Sequence, residues 1–140
     1  MDAATVQVVR ARARDMCEYC GLPQRGSRFR FWIDHIVAKQ HAGADDAENL
    51  ALACGFCNRH KGPNLGGVDP VTGQRAWLFN PRTEAWREHF QWHGAEIEGT
   101  TPTGRATIAA LAMNDPSQLA RREVLRNEGW RPENAPQNHP

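Results

Sequence analysis

The sequence has no charge excess and no long hydrophobic run, and it has no cysteine outside two short motifs. Its 17 Lys+Arg against 16 Asp+Glu give a formal net charge of +1, so the basic balance usual for nucleic-acid-binding chains is missing. No run approaches the roughly 18 apolar residues a membrane helix needs, which excludes a membrane partner by that route. The first fifteen residues turn basic at Arg10, Arg12 and Arg14, where a signal peptide would carry its apolar block. Collagen, coiled-coil and secreted disulfide-scaffold patterns are also lacking. The expectation is a soluble, cytoplasmic protein. Its 140 residues suit one domain, or a small core with an appended subdomain.

Lysine is nearly absent too. Only Lys39 and Lys61 are lysines, and the other 15 cations are Arg. Arginine is the better fork for phosphate oxygens, although a GC-rich genome gives the same bias. Residues 1–61 carry 9 cations and 7 anions, and residues 62–140 carry 8 and 9. Charge alone decides nothing.

What is present begins with a helix capped by Asp2 and running to about Asp15. Cys17-Glu18-Tyr19-Cys20-Gly21 breaks that period and reads as a tight knuckle. A loosely alternating strand is predicted over Arg28–Ile33 and leads into Asp34-His35. A second strand is predicted over Asn49–Ala53, then a second knuckle at Cys54-Gly55-Phe56-Cys57. A short helix over Asn58–Lys61 stops at Gly62-Pro63. Beyond Asn64, turn residues punctuate apolar pieces at 76–79, 88–92 and 95–98, which predicts a small antiparallel meander. Two helices follow, at about Thr103–Met113 and from Asp115-Pro116 to Gly129. Residues 132–140 are polar and proline-rich, and disorder is expected there. The division is thus a core at 1–63, a supporting subdomain at 64–131 and a tail at 132–140.

The four cysteines carry the first chemical signal. They form two CxxC pairs, Cys17/Cys20 and Cys54/Cys57, with 33 residues between them. Two such pairs complete a closed tetrahedral site with Zn–S distances of about 2.3 Å. The gap exceeds the 15–20 residues of a simple zinc ribbon, so folded structure lies between the knuckles. Disulfides and a redox pair are the alternatives, and a reducing compartment without a βαβ context disfavours both. Structural Zn2+ is expected.

Between and beside the knuckles lie Asp34-His35, Asn49 and Asn58. Two CxxC pairs bracketing Asp-His, with Asn directly after the last Cys, resemble the HNH endonucleases of the ββα-metal fold, in their zinc-knuckle form. The resemblance covers about residues 10–63. It implies an α+β fold: a small ββα-metal core with a four-Cys zinc site, an N-terminal helix, and the C-terminal meander and helices. It further implies His35 as general base, Asp34 and Asn58 as ligands of a catalytic divalent cation (Mg2+, with Mn2+ or Ni2+ as substitutes), and Asn49 as the loop brace. Double-stranded DNA is the implied partner, and cutting both strands from one site per chain calls for a homodimer. Arg59, His60 and Lys61 are candidate phosphate contacts, with solvated surface as the plain alternative.

The residue chemistry agrees with those roles. An unperturbed imidazole accepts a proton near neutral pH. A carboxylate and an amide oxygen suit a hard ion that keeps open positions. Neighbours on a strand face opposite ways, so Asp34 and His35 need a bend to converge, and Asn49 can hold one through its side chain. The rival is a non-catalytic zinc-knuckle module that binds nucleic acid or serves as an adaptor.

Overall fold

The computed structural model describes residues 1–134. Asp2 Oδ1 accepts from the Thr5 amide at 2.8 Å and starts helix α1 (Ala3–Ala13), which buries Val9 and Ala13. Arg14 and Asp15 adopt left-handed backbone, φ 55° and 54°. That turn ends the helix and aims the chain into the first knuckle.

Strand β1 spans Trp32–His35 and pairs antiparallel with β2, Leu50–Ala53, so that Asp34 faces Ala51 and His35 faces Leu50. The predicted strand began four residues earlier. Gln24 explains the delay: its Nε2 donates to the Phe29 carbonyl at 2.8 Å, and its Oε1 accepts from the Phe31 amide at 2.9 Å. A side chain thus takes the backbone groups a ladder would have used. Helix α2 (Gly55–Lys61) begins at the second knuckle, where Cys54 Sγ accepts from the Cys57 amide at 3.4 Å. The order strand, strand, helix is the expected core.

The second half differs from the predicted meander. Strands β3 (Gly66–Val68) and β4 (Arg75–Trp77) form one hairpin, and β5 (Phe90–His93) and β6 (Glu96–Gly99) form another. Between them Trp86–His89 is a helical turn, α3, begun where Glu88 Oε1 folds back to accept from the Ala85 amide at 3.1 Å. Asp69 closes the first hairpin. It accepts from Val71 N, from the Thr72 hydroxyl, and from both ends of the Arg105 guanidinium at 2.8 and 2.9 Å. Helix α4 (Pro102–Leu111) lies against both hairpins, and α5 (Pro116–Asn127) follows. Gly104 is required in α4: a Cβ there would stand 2.0 Å from the His89 carbonyl oxygen.

One hydrophobic cluster joins the halves, from Val9 and Leu52 to Phe79, Trp86, Ile97 and Leu125. Polar links cross the same boundary. Buried Glu18 accepts from the Leu52 amide and pairs with Arg82, and Trp86 Nε1 donates to the Tyr19 carbonyl at 2.8 Å. Pro132–Asn134 forms a 3-10 turn in which Pro132 is buried and Glu133 pairs with Arg126 at 3.0 Å. The expected disorder does not extend to these three residues, because burial and an ion pair fix them. The rest of that tail lies outside the described residues. No described helix is long and apolar enough to cross a membrane.

Arg122 on α5 is fully buried, and it donates to the carbonyls of Ala95 (2.6 Å) and Met113 (2.9 Å) and to Asn114 Oδ1 (3.1 Å). Arg122→Met keeps the apolar stem and strands the carbonyls of Ala95 and Met113, each worth about 1–3 kcal/mol when left unpaired, while Asn114 Oδ1 keeps the Ile97 amide at 2.9 Å. The expected outcome is a loss of about 2 kcal/mol or more, read as a lower urea midpoint at unchanged slope.

Candidate metal centre and active site

The knuckles bring Cys17, Cys20, Cys54 and Cys57 together, all buried, with their sulfurs within 4.8 Å of one another. A tetrahedron of Zn–S bonds of about 2.3 Å has edges of about 3.8 Å, and Cys20 Sγ and Cys54 Sγ are 3.8 Å apart. The cluster fits a structural zinc site. Its outer face is closed from far along the chain. Gln118 on α5, fully buried, points Nε2 at Cys20 Sγ (3.8 Å) and Cys54 Sγ (3.7 Å) and leaves its own Oε1 without a partner among the described residues. An N–H aimed at a thiolate offsets its charge and orients it.

Beside this centre, neighbours on β1 diverge as a strand requires. Asp34 turns inward and is 5% exposed. Tyr19 Oη donates to its Oδ2 at 2.7 Å, and Lys61 Nζ lies 3.3 Å from Oδ1 and 3.1 Å from Oδ2. Burial raises the Asp34 carboxyl above its ordinary range, while Lys61 and Tyr19 pull it back down. Tyr19 is pushed well up by burial and by the Asp34 charge, so it stays the donor.

His35, on the other face, remains partly accessible. Its Nε2 contacts Asp45 Oδ1 at 2.7 Å, and Lys39 Nζ reaches the same oxygen at 3.3 Å. Hydrogen bonds from His35 and Lys39 lower the Asp45 carboxyl, so the oxygen accepts and the imidazole carries its proton on Nε2. The loop bearing Asp45 is held by Asn49. Its Oδ1 accepts from Val37 N at 2.9 Å, and its Nδ2 donates to the carbonyls of Val37 (2.9 Å) and Ala44 (2.8 Å).

A family model described as HNH endonuclease matches residues 17–64. Over that segment, about a third of the chain, the protein is similar to the HNH domain. No curated protein and no solved structure gives a significant match. The match begins at the first zinc-knuckle cysteine and ends just past α2, so it spans the cysteine cluster, Asp34, His35, Asn49 and Asn58.

Within the HNH domain, Asn58 is half-buried on α2, one residue after a sulfur ligand. Its side chain makes no hydrogen bond among the described residues. Arg59 is exposed. His60 is exposed as well, with its ring stacked on Phe56 at 4.1 Å and its Nδ1 donating to the Phe56 carbonyl. Lys61 is not the surface cation the sequence suggested. It is 2% exposed, and its ammonium is spent on Asp34 and on the carbonyls of His35 (3.0 Å) and Ile36 (3.2 Å). A buried carboxylate demands a cation, and α2 delivers one a turn after Asn58. Sequence reasoning missed Tyr19, Asp45 and Gln118. Asp45 had a weak signal, an acid in the loop that Asn49 was expected to brace; Gln118 had none.

The oxygen donors of Asp34 and Asn58 suit a hard divalent ion in kind. Occupancy is another matter, because Lys61 already neutralises Asp34. An ion there would share the carboxylate with Lys61 and Tyr19.

Active protein should contain one zinc per chain, and Cys54→Ser should lose it together with the fold of the first half, since such sites contribute on the order of 10 kcal/mol. Gln118→Leu should keep the fold and release zinc to a competing chelator at about 10- to 100-fold lower chelator strength. Unchanged zinc affinity in Gln118→Leu would show the amide to be packing alone.

Proposed function

We propose that the HNH domain is a metal-dependent endonuclease that hydrolyses DNA phosphodiester bonds, with His35 as the general base. The observation carrying this reading is the His35–Asp45 contact at 2.7 Å on a loop braced by Asn49 within a matched HNH segment. With Nε2–H donated to Asp45, Nδ1 keeps the lone pair that takes a proton from water. The water oxygen then bonds to phosphorus as the bond to the 3′ oxygen breaks. Asp45 stabilises the imidazolium that forms, and it holds the ring in one tautomer. Asn49 acts on the reaction only by fixing the loop. Asp34 and Asn58 would hold the divalent ion, which when bound neutralises phosphate charge.

One observation favours the second reading, a non-catalytic zinc module. The Lys61 ammonium sits on Asp34, where an ion would have to bind. Plasmid nicking separates the two. Under Mg2+, Mn2+ or Ni2+ the protein should convert supercoiled DNA to nicked or linear forms. His35→Ala should reduce that rate about 10²- to 10⁴-fold while retaining zinc and circular dichroism, with Asp45→Ala losing a smaller part. Wild-type protein that binds DNA and never cuts it belongs to the second reading.

Lys61 gives a test independent of cleavage. Removing one partner of a buried ion pair costs about 3–5 kcal/mol, so Lys61→Met should unfold at a lower temperature than wild type. If Asp34 takes a divalent ion, added Mg2+ should recover part of that loss in Lys61→Met and little in wild type. No recovery would remove Asp34 from the ligand set.

A further inference from the structure

Just before β1 and at its first residue the chain exposes two large aromatic rings among arginines. Phe29 is 72% and Trp32 59% exposed, while Phe31 between them is buried in the core. Arg28 and Arg30 are also exposed. Neither they nor Arg59 has a carboxylate within ion-pair distance among the described residues. The backbone carrying these side chains is anchored. Gln24 bonds the Phe29 carbonyl and the Phe31 amide, Ser27 Oγ accepts from the Phe29 amide at 3.2 Å, and Arg10 Nη2 donates to the Phe31 carbonyl at 2.7 Å. Trp32 and Arg59 flank Gly55, where a Cβ would lie 3.6 Å from Trp32 Nε1 and 3.4 Å from Arg59 Nη1. The strip ends three residues before His35.

We infer that this strip, Arg28-Phe29-Arg30 with Trp32 and Arg59, binds nucleic acid bearing unpaired bases, on which Phe29 and Trp32 stack. The inference rests on nucleic acid being the substrate of the HNH domain, and it narrows which form is taken. Arginines with no acid partner meet phosphates, and exposed ring faces meet bases. In an intact duplex the faces of the bases are covered by their neighbours and only their edges reach the grooves. An aromatic platform therefore gains from a base only where that base is unstacked, in a single strand, a flap or a gap. Because Gln24, Ser27 and Arg10 hold the segment by five side-chain bonds to its backbone, little ordering remains to be done on binding.

The test is fluorescence anisotropy of the whole protein with no divalent ion added, using a labelled oligothymidine and a labelled blunt duplex of equal length. The single strand should bind more tightly. Phe29→Ala and Trp32→Ala should each weaken single-strand binding about 5- to 150-fold and leave the duplex affinity unchanged, with zinc content intact because both rings are exposed. The double variant Arg28→Ala/Arg30→Ala should lower the salt slope for the single strand by about 1.4. Equal affinity for the two forms overturns the inference, as does single-strand binding that ignores both aromatic substitutions; the latter outcome would point to a protein partner for the strip. Binding as described without cleavage under Mg2+, Mn2+ or Ni2+ would remove the nuclease reading and leave the platform standing. Cleavage of duplex that ignores the aromatics would do the reverse.

Discussion

Four buried sulfurs within 4.8 Å of one another set the terms for everything around them. Thiolates at that spacing repel unless a cation lies between them, so a cluster of this kind folds as it takes up its ion. Each pair closes a turn through its own backbone: the Cys20 amide reaches Cys17 Sγ at 3.5 Å, and the Cys57 amide reaches Cys54 Sγ at 3.4 Å. Joining the two turns fixes the end of β2 and the start of α2, and through Glu18 and the Leu52 amide it ties the first knuckle to the strand pair. The second half then closes over the sulfurs with Gln118 and fills the space beside them with Trp86, Phe79 and Leu125. A two-stranded sheet and a seven-residue helix could not hold a site unaided. Here the metal centre and the packed second half do it.

The same economy governs charge. Two carboxylates of the core are buried, Glu18 and Asp34, and each receives a cation from a distant part of the chain, Arg82 and Lys61. A buried pair of this kind adds little net stability and is costly to break; its effect is to fix geometry. The arginines at 28, 30 and 59, by contrast, have no acid partner among the described residues. The near-neutral total therefore hides an uneven distribution. Each inward acid takes a cation inward with it, so the balance outside is unchanged; what is uneven is position, with Arg28, Arg30 and Arg59 exposed and Asp45 and Asp46 on the loop beside His35.

Legibility from sequence followed the range of the interactions. Helix α1, both knuckles, β2 and α5 were readable because caps, CxxC turns and the proline at the first position of α5 are local signals. Asn49 was readable through the family resemblance, which implies a loop brace, and its bonds to Val37 and Ala44 are of that kind. The start of β1 was misplaced because Gln24, up to seven residues upstream, takes its backbone groups, and period-two alternation does not register that. The meander became two hairpins for a similar reason: Glu88 caps a helical turn inside a run whose aromatics read as a strand. Tyr19 to Asp34 spans 15 residues and Gln118 to Cys20 spans 98. No pattern within a window of sequence encodes contacts of that range, and the same is true of the inward turn of Lys61.

Softness separates the two donor sets. Four buried thiolates faced by Gln118 suit Zn2+, whereas the carboxylate and amide oxygens of Asp34 and Asn58 are of the kind that hard ions prefer. Asn58 belongs to both arrangements by position. It follows Cys57 by about 100° around α2, so the turn that sends Cys57 inward to the sulfurs leaves Asn58 half-exposed on the neighbouring face. The cysteine turn therefore sets where the amide stands, and the cluster and the candidate site meet at that one helical turn.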